Sequence, residues 1–104
     1  MIIFVDIDDT ICYYEDDNIQ KNYNNAKPYN ERIKKINNLY NDGSTIIYWT
    51  ARGTLTGINW FEITYNQLKS WGCLFHELRM GKPSYDLFID DKNINSDDFF
   101  KLPT

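Results

Sequence analysis

Five aspartates stand where a carboxylate could do chemistry. Asp6, Asp8 and Asp9 come at once after the apolar run Met1–Val5, and Asp90 and Asp91 after a shorter one, Leu87–Ile89. Hydroxyls and cations mark the other breaks: Thr10 beside the first acids, Thr50-Ala51-Arg52 after the run Thr45–Trp49, and Lys82 between Gly81 and Pro83. In α/β sheets, ligands bind beyond the carboxyl ends of the strands, so these groups are expected to converge at one sheet edge. Several carboxylates brought to one point repel and hardly ionise together without a cation. A hard, oxygen-ligated ion such as Mg²⁺ is the natural counter-charge.

The elements between these groups must position them. MIIFV, cut off by Asp6, reads as a strand buried on both faces, as in the middle of a parallel sheet. Residues 11–29 are polar and aromatic, lack a helical period and contain Pro28, so they form an excursion with room for a small hairpin. Its Tyr13, Tyr14 and Tyr23 could line a pocket or cover the sheet edge. Ile33, Ile36, Leu39 and Tyr40 predict a helix over 30–42, stopped by Gly43. TIIYW is a second buried strand. Phe61, Tyr65, Leu68 and Trp71 predict a second helix over 58–71 with those rings in the core, closed by Gly72. Short strands are expected over 74–78 and 87–89. The alternation predicts one α/β domain over residues 1–104, built on a doubly wound parallel sheet.

Composition removes several functions. The 104 residues carry 11 Lys and Arg against 15 Asp and Glu, a net charge of −4, without the clustered cations that displace counterions from nucleic acid. No apolar run approaches the ~20 residues that span a bilayer, so no membrane partner is expected. Met1 leads straight into a strand-like segment, and Cys12 and Cys73 form no C-x-x-C pair, which together predict a cytoplasmic protein with reduced thiols. The single histidine, His76, has no second ligand nearby in sequence, which argues against zinc and for a structural role.

The ordered set of motifs carries a resemblance. Asp6-Ile7-Asp8-Asp9-Thr10 resembles the first motif of the haloacid dehalogenase superfamily, D-x-D-x-[TV]; Thr50 is similar to the second, Lys82 to the third, and Asp90-Asp91 to the fourth. Tyr23–Pro28, Thr50-Ala51-Arg52, Gly81-Lys82-Pro83 and the tail from Ile89 to Phe99 look like the small capless phosphatases associated with capsular polysaccharide biosynthesis. The resemblance implies a three-layer, Rossmann-like fold without a cap and a Mg²⁺-dependent phosphomonoesterase. Asp6 would be the nucleophile and Asp8 the general acid and base, its backbone carbonyl reaching the metal. Thr50 would bond a phosphoryl oxygen, Lys82 would neutralise charge, and Asp90 and Asp91 would complete the metal shell, directly or through water. Asp9, Thr10, Ala51 and Arg52 would lie on the substrate side, although Arg52 could instead pair with a neighbouring carboxylate.

A receiver-type phospho-acceptor domain has a similar size and residue set, but its acceptor aspartate follows a later, central strand and it lacks a general acid. With residues 11–28 and 53–57 too short for a folded cap, the site should be open unless a second copy covers it. The resemblance points to a small phosphorylated substrate, a phosphosugar or related intermediate of surface-polysaccharide synthesis. Residues 86–92, DLFIDDK, also resemble the deoxyribonucleotidases, which makes a nucleoside monophosphate the alternative. Asn93 and the amide-rich stretch Asn22–Asn25 depart from the family pattern without touching the catalytic set.

Overall fold

The computed structural model describes residues 1–15 and 22–103. Part of the aromatic excursion, 16–21, lies outside them. Strand β1 (Ile2–Val5) is followed by a two-residue strand β2 (Cys12–Tyr13), a single 3-10 turn at Tyr23–Asn25 and β3 (Lys27–Pro28). Then come α1 (Asn30–Asn41), β4 (Thr45–Trp49), α2 (Phe61–Ser70), β5 (Glu77–Arg79) and α3 (Ser96–Lys101). The main sheet has the order β1-β4-β5, all parallel, with Ile3 opposite Ile46 and Tyr48 opposite Leu78. The small hairpin is present: Cys12 pairs with Pro28 and Tyr13 with Lys27, antiparallel.

Both crossovers, β1-α1-β4 and β4-α2-β5, step the same way across the sheet. Right-handed connections then place both helices on one face. The packing agrees, because Ile33 and Ile36 of α1 and Leu68 of α2 share a single core with Val5, Ile46 and Tyr48. The residues that alternate with these point the other way. Ile2 is 72 % exposed and Phe4 47 %, although Ile47, in the central strand, is buried.

The strand expected over 87–89 is not formed among the described residues. These residues make no ladder, and Leu87 and Ile89 are exposed instead. A three-residue apolar run held between Asp86 and Asp90 offers few ladder bonds against its solvation. What is observed is a compact α/β fold on a parallel three-stranded sheet.

Two other expectations need correction. The second helix starts at Phe61 rather than 58, because the side chains of Thr56 and Asn59 take the N–H groups of Ile58 and Phe61 in local turns. Its buried face is not the aromatic stripe: Thr64 and Leu68 are fully buried, while Phe61 and Tyr65 stack on each other at 5.9 Å and stay exposed. The third main strand is Glu77–Arg79 rather than 74–78, since the N–H groups of Cys73 and Leu74 are spent on Leu68 O and the Asn37 side chain. His76 is structural, as expected: its Nδ1 accepts the Ile46 N–H at 3.1 Å and its ring stacks on Tyr40.

The two faces of the sheet should respond differently to truncation. Ile36→Ala empties a site that is 2 % exposed and is expected to cost about 2–5 kcal/mol. Ile2→Ala, on the open face, should stay within about 0.5 kcal/mol. Urea denaturation of the two variants checks this contrast.

Candidate active site

The chain leaves β1 through a tight turn. Thr10 and Ile11 both return their N–H groups to Ile7 O, and the Asp9 N–H reaches Cys12 O at 3.0 Å. Asp9 takes φ +61°, the left-handed region that aspartate tolerates better than most residues. This turn fixes three carboxyls in different surroundings: Asp9 is exposed, while Asp6 and Asp8 are partly covered.

Asp6 stands at the C-terminal end of β1 with its side chain 39 % exposed. Thr10 Oγ1 donates to its Oδ2 at 3.1 Å, and Lys82 Nζ lies 3.3 Å from its Oδ1. Lys82 is itself placed by the backbone: its N–H bonds Thr50 O at 3.0 Å, and its carbonyl accepts from Thr54 Oγ1. The rings of Trp49 and Tyr85 lie 5.9 and 5.5 Å from the ammonium. Thr50 follows β4, its N–H on Arg79 O, and its hydroxyl oxygen accepts the Arg52 N–H at 3.1 Å. The Ala51 carbonyl accepts Thr54 N–H and so closes the following turn.

Arg52 has gone inward. Its side chain has no exposed surface, and the guanidinium grips Asp8 with two parallel bonds, Nε to Oδ2 at 3.0 Å and Nη2 to Oδ1 at 2.8 Å. Nη1 donates to Thr64 Oγ1 at 3.1 Å and to Gln67 Oε1 at 2.6 Å, both on α2. The Tyr23 ring covers the guanidinium at 4.7 Å, and Gln67 Nε2 bonds Tyr23 O. Of the two roles left open by the sequence, pairing with a carboxylate is therefore the observed one. Tyr14 OH and the Cys12 thiol also donate to Asp8 Oδ1. Burial pushes the Asp8 carboxyl up, but the Arg52 bonds and charge, helped by Tyr14, hold it below the usual carboxylate range. The same surroundings raise both Cys12 and Tyr14, first through burial and then through the Asp8 charge and hydrogen bond, though Arg52 lowers both.

The structure thus brings Asp6, Thr10, Thr50 and Lys82 together, with Asp8 and Arg52 behind them, and leaves Asp90 and Asp91 exposed on the segment that forms no strand. Among the described residues no group of three or more His, Cys, Asp or Glu side chains is arranged to hold a metal ion. A hard cation is still compatible with the donors present, because Mg²⁺ usually takes one or two protein carboxylates and fills its octahedron with water and phosphate oxygens. Asp6, a half-open carboxylate beside the strand end, is such a donor. Thr64 and Gln67 were not singled out from the sequence, where they look like ordinary helix residues. A cleft of about 460 Å³ between α1 and α3 lies elsewhere, and two of its three cations, Arg32 and Lys35, are taken up by Asp97 and by backbone carbonyls.

No protein-family model matches the chain, and no curated protein matches it. A crystal structure of an MCSG target from Vibrio cholerae is similar in fold: 22 % identity, TM-score 0.83, covering 98 % of this chain and 89 % of that one. That likeness speaks to the fold alone. Among the described residues no helix is long and apolar enough to cross a membrane.

Two expectations follow from this geometry. A Cβ on Gly53 would sit 2.1 Å from Ile58 O at φ +82°, so Gly53→Ala must displace the loop that follows Arg52, with a lower melting temperature as the readout. The lowered Asp8 pKa means that its pairing stabilises the fold above the unfolded carboxyl value and is lost as pH falls through the folded one. Asp8→Asn should therefore cost about 3 kcal/mol near neutrality by leaving a buried guanidinium half paired, and the gap to the unmodified protein should close in acid. Urea titrations at neutral and acid pH measure both limits.

Proposed function

We propose that this chain is a Mg²⁺-dependent phosphomonoesterase of the haloacid dehalogenase type, working through an aspartyl-phosphate. The observation that carries the reading is the pairing of Asp6 with Lys82 and Thr10 at the C-terminal end of a parallel strand, with Thr50 beside them. A half-exposed carboxylate flanked by an ammonium and a hydroxyl suits attack on a phosphorus centre. Asp6 forms the new O–P bond as the bond to the leaving oxygen breaks. Lys82 and the Thr50 hydroxyl offset charge on the phosphoryl oxygens.

Asp8 then has two tasks, to give a proton to the leaving oxygen and to take one from the water that opens the acyl phosphate. Its ionised, Arg52-bound form suits the second task. A phosphate dianion bound beside it favours proton uptake, which suits the first. Asp6 and the Asp8 carbonyl would hold Mg²⁺, with Asp90 or Asp91 joining from the 86–91 segment if it lies along the free edge of β1. When bound, the ion offsets the crowded negative charge and polarises the phosphoryl oxygens.

The same reading takes the fold to be the capless, doubly wound type, and the protein to be cytoplasmic. An open site suits a phosphate on a bulky carrier, and the Trp49 and Tyr85 rings beside Lys82 offer a surface on which a sugar could lie. A phosphosugar of surface-polysaccharide synthesis is the preferred substrate class. A second copy covering the site is compatible with its openness.

Purified protein is expected to release phosphate from p-nitrophenyl phosphate with Mg²⁺ and to stop on chelation with EDTA. Asp6→Asn should abolish turnover, by at least about 10³-fold; full activity in that variant overturns the reading. Mg²⁺ should also slow amide exchange across residues 86–91, and no change there would remove Asp90 and Asp91 from the metal shell. Catalytic efficiencies across sugar phosphates and nucleotides test the substrate class, and a preference for nucleotides over every phosphosugar overturns it.

A further inference from the structure

We infer that Arg52 is a positioning residue, which fixes the Asp8 carboxylate from behind and does not itself touch substrate. The inference rests on the phosphatase reading, since it assigns Arg52 a task only if Asp8 handles protons. A cation meant for a phosphate needs donors facing the open site, and Arg52 has none to spare. Its side chain is fully buried; Nε and one Nη2 hydrogen are committed to the two oxygens of Asp8, the other Nη2 hydrogen to Tyr14 OH at 3.4 Å, and both Nη1 hydrogens to Thr64 and Gln67. The Tyr23 ring closes one face of the guanidinium.

The geometry of the pair is restrictive. Two parallel N–H···O bonds from a planar fork allow the carboxylate one plane and one direction, which a lysine ammonium cannot impose. The fork is fixed in turn by α2, because Thr64 and Gln67 sit one turn apart and both accept from Nη1. Thr64 explains the unexpected burial on that helix: a hydroxyl, rather than a ring, faces the core at the position that must accept this bond. Asp8 is thereby held by an element remote in sequence from the strand it follows. Proton transfer requires such control, since a misplacement of about 1 Å at a reacting group can cost roughly 100-fold in rate.

The test is a double-mutant cycle on p-nitrophenyl phosphate hydrolysis with Mg²⁺, using Arg52→Lys, Asp8→Asn and both together, with melting temperatures confirming folded protein. A residue acting through Asp8 loses its effect once Asp8 cannot transfer protons. Arg52→Lys is expected to lower kcat roughly 10- to 100-fold with KM within about twofold, and to add nothing in the Asp8→Asn background. Thr64→Val, nearly isosteric, should lower kcat in the same direction by a smaller factor, and it too should be silent beside Asp8→Asn. A raised KM with kcat preserved would make Arg52 a substrate contact, and losses that multiply in the double variant would make it a general structural support; either overturns the inference. If Asp8→Asn does not fold, the split between kcat and KM in Arg52→Lys and Thr64→Val decides alone. An unmodified protein without phosphatase activity removes the reading and this inference together, whereas an active one with the wrong pattern removes only the inference.

Discussion

A guanidinium with no exposed surface must be fully bonded or it destabilises the fold, and that requirement organises the C-terminal edge of this sheet. Arg52 reaches the turn after β1 through Asp8, reaches α2 through Thr64 and Gln67, and lies under the ring of Tyr23. Three stretches of chain are thereby referred to one charged group. A buried ion pair adds little net stability compared with apolar packing, because desolvation offsets most of the attraction. Its contribution here is geometric: two parallel bonds hold the Asp8 carboxylate in one plane, alongside the contacts from Tyr14 and Cys12.

The two carboxyls nearest β1 are thus in opposite circumstances. Asp6 meets a lysine and a threonine and keeps access to solvent, whereas Asp8 is enclosed and doubly bonded. A difference of environment between neighbouring acids is how one scaffold assigns them different tasks. The turn that separates them depends on Asp9 in the left-handed region and on two N–H groups converging on Ile7 O.

Much of this was legible in the residues. TIIYW could only be a buried strand, and the spacing of Ile33 and Ile36 identified the inner face of α1, because burial on two sides or one stripe leaves a strong periodic trace. Where the pattern was short, other forces decided. LFI at 87–89 is apolar yet has no ladder partner, and α3 was overlooked although Asn95 caps Asp97 N–H and Asp97 and Asp98 fill its first turn, a sound helix-start signal. On α2 the aromatic residues imitated a core stripe, but the inward position went to Thr64, since hydrogen-bond demand from Arg52 outweighs hydrophobicity there. Asp6 and Thr50 stood out because each follows an apolar run, and Lys82 through its Gly81-Lys82-Pro83 setting. Gln67 and Thr64 left no such mark.

The one-sided sheet has a consequence for how this chain can vary. Ile2 and Ile3 are neighbours of one residue type, yet one lies on the open face and the other packs against the core. Substitution at the first changes mainly what the surface presents to its surroundings; substitution at the second disturbs the interior. Sequence drift should therefore accumulate on alternate residues of β1, so that two descendants of this chain could share every inward side chain, and the turn beyond them, while differing completely along the other row.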